Sequence, residues 1–100
     1  MRIEWSERAK NDVINIAKYI AETDNIENAL YIVNRLEKDV MQLKDFPLSG
    51  IFPKDKILVA EGYRMLVVEK FLIFYLINEE KISIVAVIHG AQKYSHLLFD

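Results

Sequence analysis

The chain contains no cysteine, so it has neither a disulfide framework nor thiolate chemistry. Imidazole is scarce too. Only His89 and His96 offer imidazole to a metal, and no ligand cluster surrounds them, so no metal and no cofactor is expected. Three glycines and two prolines in 100 residues leave little for flexible linkers, and 52% hydrophobic content argues for an ordered globule. No apolar run reaches the roughly 18 residues that span a bilayer, and no signal peptide precedes the first structured segment. A single cytoplasmic domain over residues 1–100, with no membrane partner, is the expectation. A basic excess is also missing. The net charge is −2, and the charges are spread evenly, nine acids against seven bases in residues 1–50 and six against six in 51–100. Any nucleic-acid contact must therefore be local.

What the chain does have is a run of strands in its last third. Tyr63–Val68, Phe71–Ile77 and Lys81–His89 are three stretches of β-branched and aromatic residues, parted by Glu69-Lys70 and Asn78-Glu79-Glu80. This pattern predicts an antiparallel meander. If Glu69-Lys70 is a two-residue turn, Val68 faces Phe71 and Arg64 faces Tyr75. A two-residue turn at Glu79-Glu80 then puts His89 on the face opposite Arg64. One extra residue, in a longer turn or a bulge, puts both on one face.

The first half supplies the cover. Met1–Trp5 alternates as a short strand, and Ser6 is placed to cap a helix over 7–22 with Ala9, Val13, Ile16, Ala17 and Ile20 on one stripe. Thr23-Asp24-Asn25 breaks it. Asp24 with Glu27 resembles a capping box, and Asn25 is the alternative cap. A second stripe from Ile26 to Leu43 predicts a helix over 26–46, ended by Pro47. Pro47–Pro53 reads as a compact loop, Lys54-Asp55-Lys56 as a solvated patch, and Ile57–Ala60 as the start or extension of a strand. After Gly90 a short tail follows, with room for one helical turn. The class is α+β in the order β-α-α-β-β-β, a helical hairpin on one face of a mainly antiparallel sheet, the other face left partly open.

Arg64 interrupts an apolar strand and has two readings. Its stem packs while its head finds solvent or a carboxylate, or it is a cation aimed at a partner. His89 is either a strand-end histidine bonded to backbone or a general acid–base group. Tyr94 is either an anchor for the tail or part of a site with His89 and Lys93. Phe71, Phe74 and Tyr75 sit mid-sheet, which suits core packing better than base stacking.

The ordered set of features resembles the RelE/ParE superfamily of type II toxin-antitoxin toxins. It comprises the element order, Trp5-Ser6 before a helix, Phe46-Pro47-x-x-Gly50, Arg64, Phe71-x-x-Phe74-Tyr75, and Val87-Ile88-His89-Gly90-Ala91-Gln92-Lys93-Tyr94. The resemblance implies a toxin neutralised by a cognate antitoxin in a hetero-oligomer. RelE-like members cut messenger RNA on the ribosome, using arginines at the places of Leu72 and Gln92, which here cannot supply cations. ParE-like members poison DNA gyrase and carry an arginine at the place of Arg64. The chain follows the second pattern. The resemblance therefore implies inhibition through a protein target such as gyrase, with Arg64, Tyr75, His89, Lys93 and Tyr94 as target or antitoxin contacts. The antitoxin would lay an amphipathic segment against exposed apolar surface, its acids near Arg64 and Lys93. The alternatives are a metal-free messenger RNA endonuclease using His89, Lys93 and Tyr94, and an inactive antitoxin-binding module.

Overall fold

A computed structural model describes residues 1–91. Strand β1 (Arg2–Trp5) leads into helices α1 (Glu7–Thr23) and α2 (Ile26–Met41), a 3₁₀ turn (Gln42–Lys44) and a short helix α3 (Lys56–Ala60). Strands β2 (Arg64–Val68), β3 (Phe71–Ile77) and β4 (Lys81–His89) follow. The sheet order is β1-β4-β3-β2, with β1 parallel to β4 and the other two pairings antiparallel. The expected α+β class and helical hairpin on a mainly antiparallel sheet are therefore observed.

Local chemistry explains most boundaries. The Ser6 hydroxyl accepts the Ala9 N–H at 2.9 Å and opens α1. Asn25, not Asp24, caps α2, accepting the Asn28 N–H at 2.8 Å; Asp24 instead takes the Asn28 side-chain amide. Helix α2 stops at Met41 rather than continuing to 46. Phe46 precedes proline and is disfavoured as helix, and the backbone tightens so that Asp45 and Phe46 both donate to the Gln42 carbonyl.

Ile57–Ala60 is helical, not a strand. Asp55, expected as part of a solvated patch, caps it by accepting from Ile57 and Leu58 at 2.8 and 3.2 Å. Gly62 closes it at φ 95°, with Tyr63 donating to the Leu58 carbonyl. A cap at one end and a left-handed glycine at the other override the β-preference of the Ile-Leu-Val run.

Two cores sandwich the sheet. On the helix side Ala9, Leu36, Val40 and Leu43 meet Val68, Phe71, Ile73, Tyr75, Ile82, Ile84 and Val87. On the other side Leu58 of α3 joins Tyr63, Met65, Leu72, Phe74 and Ile88, with Phe74 fully buried. The second face is covered around Phe74, while Val67 on the same face stays 56% exposed, so it is partly open as expected. Helix α1 buries only Ala9 completely; Val13, Ile16 and Ile20 remain partly covered.

The register carries the main surprise. Glu69-Lys70 makes the expected tight turn, pairing Val68 with Phe71 and Arg64 with Tyr75. Glu69 sits at φ 55°, a costly conformation for a glutamate, and its carboxylate is held by Arg35 at 3.0 Å. The second turn is also tight: Asn78 N–H bonds the Lys81 carbonyl, and the Asn78 side chain accepts from Glu80 and Lys81. Alone, that turn would send His89 to the face opposite Arg64. Within the strands, however, Tyr75 pairs with Ile84 while Phe74 pairs with Ala86, so Val85 is an extra residue. This bulge reverses parity and brings His89 opposite Phe71.

A bulge leaves backbone groups without ladder partners, and α1 satisfies them. The Ser6 hydroxyl donates to the Val85 carbonyl at 2.9 Å, and an Asp12 carboxylate oxygen accepts the Val87 N–H at 2.9 Å. Asp12→Ala should therefore orphan a buried N–H and cost about 1–3 kcal/mol. Asp12→Asn, which keeps an oxygen acceptor, should cost less. Urea unfolding midpoints of the two variants check this; equal losses would mean that the bond to Val87 contributes little.

Candidate functional site

Arg64 and His89 share a face but not a place. Arg64 lies at the Tyr75 end of the sheet and His89 at the Phe71 end, four residues away along β3, or about 13 Å at ~3.3 Å per residue. Each belongs to a different surface. Lys93 and Tyr94, expected beside them, lie outside the described residues, as do Gln92 and His96.

The first surface is the loop between α2 and α3. Tyr75, expected as a contact residue, is fully buried and cannot touch a partner directly. Its hydroxyl accepts the Gly50 N–H and donates to the Pro47 carbonyl, both at 2.9 Å. Burial pushes its pKa up, partly opposed by the Gly50 bond and nearby Arg64. Arg64 donates to the Leu48 and Gly50 carbonyls at 3.3 and 3.1 Å, and its guanidinium lies 4.4 Å from the Phe52 ring centre. Its carbonyl partners come from the loop, where the sequence suggested solvent or a carboxylate. Ile51 adds a two-way backbone bridge to Met65 on the free edge of β2. Gly50 is required here because a Cβ would collide with the Tyr75 hydroxyl and the Met65 carbonyl.

The frame holds apolar side chains outward. Phe46 and Leu48 are each 66% exposed, Phe52 58% and Ile51 54%. Exposed apolar side chains gathered in one tethered loop make it a candidate contact surface. The sequence signal for this surface is Phe46, Leu48, Ile51 and Phe52, four large apolar residues in a loop otherwise set by proline and glycine.

The second surface is a groove between α1 and the ends of β3 and β4. A cavity of about 640 Å³ is lined by Arg8, Asp12, Ile16, Phe71, Val87 and His89, among others. The His89 ring meets Phe71 edge-on at 5.7 Å between centroids, and its Nδ1 accepts the Ala91 N–H at 3.0 Å. The strand-end, backbone-bonded reading of His89 is thus realised, with Nε2 unengaged among the described residues. Arg8 and Asp12 pair at 3.4 Å in the same wall. Leu72 is buried on the other face of the sheet. Among the described residues no group of three or more His, Cys, Asp or Glu could hold a metal ion, and no helix is long and apolar enough to cross a membrane.

Residues 3–94 match the sequence model of a family described as the ParE toxin of type II toxin-antitoxin systems, parDE. Among solved structures, the chain resembles one from a chromosomal ParDE toxin-antitoxin system of P. aeruginosa. The TM-score is 0.75 at 20% identity, covering 89% of this chain and 95% of that one, a likeness of fold. No curated protein is a significant match.

Two phenols give this geometry a pH signature. Tyr75 is raised by burial, and Tyr63 by burial and then by the nearby Glu61 carboxylate. A phenol whose folded pKa lies above its unfolded value, about 10, stabilises the fold below that value and loses its contribution as pH rises through the folded one. Stability should therefore fall above roughly pH 10. Tyr75→Phe, which leaves Gly50 N–H and Pro47 C=O unpaired, should cost about 1–3 kcal/mol at neutral pH and flatten the alkaline decline. Denaturation followed against pH tests both; an unchanged decline in the variant would remove Tyr75 from its cause.

Proposed function

Because the chain belongs to the ParE toxin family of type II toxin-antitoxin systems, we propose that it arrests growth by seizing a protein target, DNA gyrase foremost. A cognate antitoxin holds it silent in a hetero-oligomer. The observation that carries this reading is the tethered loop. Phe46, Leu48, Ile51 and Phe52 are exposed apolar side chains on a frame fixed by Tyr75, Arg64 and Gly50. Aromatic side chains such as Phe46 and Phe52 are enriched at protein interfaces, and anchors already held in place lose little entropy on binding. Arg64 acts here as the strut of the surface, with its cation over Phe52 available at the rim.

A nuclease reading is less well supplied. Messenger RNA cleavage needs a base, an acid and a cation for the developing phosphorane charge. Leu72 stands at the place of one RelE-like arginine and is buried facing away from His89. The net charge of −2 also gives no general attraction to RNA. His89, with Lys93 and Tyr94, is therefore assigned a contact role and not a catalytic one.

Induction without the antitoxin should stop growth, relax gyrase-dependent supercoiling and trigger the DNA-damage response while ribosome-bound transcripts stay intact. Phe52→Ala should relieve the arrest while lowering stability by no more than the about 0.5–1 kcal/mol of its contact with Arg64. Codon-phased transcript breaks abolished by His89→Ala, with supercoiling normal, would establish the endonuclease instead. No growth effect would establish an inactive antitoxin-binding module.

A further inference from the structure

The exposed apolar surface does not stop at the loop. Met65 is the hub around which it continues. Ile51 is bridged to Met65 across the free edge of β2, and Met65 packs in one cluster with Leu58 of α3. Helix α3 buries Leu58 alone. Its neighbours Ile57 and Val59 lie about 100° to either side and emerge on the two flanks, Ile57 62% exposed. Val67, two residues from Met65 on the same face of β2, is exposed as well. The loop, α3 and the edge of β2 thus share one run of large apolar side chains. Contiguous apolar surface rimmed by polar groups is where partners dock.

The rim of this surface is cationic. Lys54 and Lys56 are exposed, and neither has a carboxylate partner among the described residues. Asp55, between them, spends a carboxylate oxygen on the Ile57 and Leu58 N–H groups. Lys56 stands two positions before Leu58, about 200° round the helix, and so points away from the sheet. Residues 46–60 hold two lysines against one aspartate, and the whole chain is −2, so the rest of it carries −3. The surface is basic on a chain that is otherwise acidic.

We propose that α3 and the edge of β2 complete the target-binding surface, and that the target meets it with an apolar socket ringed by carboxylates. Ile57, Val59 and Val67 extend the contact begun by Phe52, and Lys54 and Lys56 choose the partner by charge. The proposal rests on the protein-target reading and goes further by naming α3 and the chemistry of the site that it seizes. Arg64 is spent on the Leu48 and Gly50 carbonyls, so the two lysines are the cations left to face carboxylates here. A nucleic acid fits less well, because two lysines give no track along phosphates. An anionic bilayer fits less well too, because its headgroups would repel the acidic remainder of the chain.

The test measures binding of the full chain to purified DNA gyrase as salt is varied. Lys54→Glu with Lys56→Glu reverses the rim, and folding should tolerate it, since a glutamate at the first position of α3 suits the positive end of a helix. Lys18→Glu with Lys38→Glu makes the same charge change on exposed positions of the helical hairpin. The rim variant should bind about tenfold or more weakly at low salt, chiefly through slower association, and lose most of the salt dependence of the wild-type rate. Ile57→Ser should weaken binding severalfold at any salt, and the hairpin variant should bind like wild type. Melting curves matching wild type would tie these losses to the interface. Gyrase binding that ignores the rim variant and Ile57→Ser would overturn the proposal while leaving the gyrase reading intact. A wild-type association rate indifferent to salt would overturn the acidic chemistry of the site. No gyrase binding by the wild-type chain would overturn both readings. Wild-type binding to vesicles of phosphatidylglycerol and phosphatidylethanolamine, lost in the rim variant, would assign the surface to a membrane and overturn the proposal.

Discussion

The extra residue in β4 is the constraint on which the rest of the structure depends. Strand β1 pairs with β4 only up to Trp5 and Ile84, and the chain leaves the sheet where the bulge begins. Ser6 marks that point. It donates its backbone N–H to the Ile84 carbonyl and its hydroxyl to the Val85 carbonyl, and accepts the Ala9 N–H in the first turn of α1. Two turns later Asp12 receives the Val87 N–H. A bulge with unpaired buried groups would cost several kcal/mol; here each named group has a partner from one helix. The same bonds fix where α1 lies, so strand parity and helix position are one decision. Val87 then faces the helix-side core, His89 faces Phe71, and the groove opens between them.

At the other end of the sheet the logic is inverted. A buried tyrosine is used for its hydroxyl as much as for its ring, bridging Pro47 and Gly50 across 28 and 25 residues of sequence. Glycine is needed for space at position 50, since any Cβ would occupy the hydroxyl's place. The loop so fixed exposes large apolar side chains that an unconstrained segment would fold inward or smear over many conformations. Order is retained where burial is absent, and a loop that serves only as a connection does not need this.

Much of this was legible in the sequence. Apolar stripes at helical spacing placed both helices to within a few residues, and the charged Glu69-Lys70 break fixed the β2–β3 register because only one pairing keeps Val68 and Phe71 on the core face. The bulge was not legible. Ile84-Val85-Ala86 is uniformly apolar, with no glycine or proline to mark an irregularity, so parity could be posed as a question and not answered. Helix α3 was hidden because β-branched residues suggest strand, while the decisive signal, Asp55, looked like one more surface charge. Strand composition does not reveal that the Tyr75 hydroxyl is spent on Pro47 and Gly50, far away in sequence, and so is not free for a partner. Asp12 was missed for the same reason: on a helix with many charges, nothing local distinguishes the one that reaches the sheet.

Both candidate surfaces are held by the fold's own bonds before any partner arrives. The groove floor belongs to α1, β3 and β4, anchored through Ser6 and Asp12, and the loop is anchored through Tyr75 and Arg64. A receptor built this way loses little conformational freedom on binding, so the ordering cost of any complex falls on the partner. The fold also separates the two surfaces physically. The groove lies at the Phe71 end of the sheet and the loop at the Tyr75 end, with separate anchors. A partner confined to the groove therefore leaves Phe46, Leu48 and Phe52 uncovered.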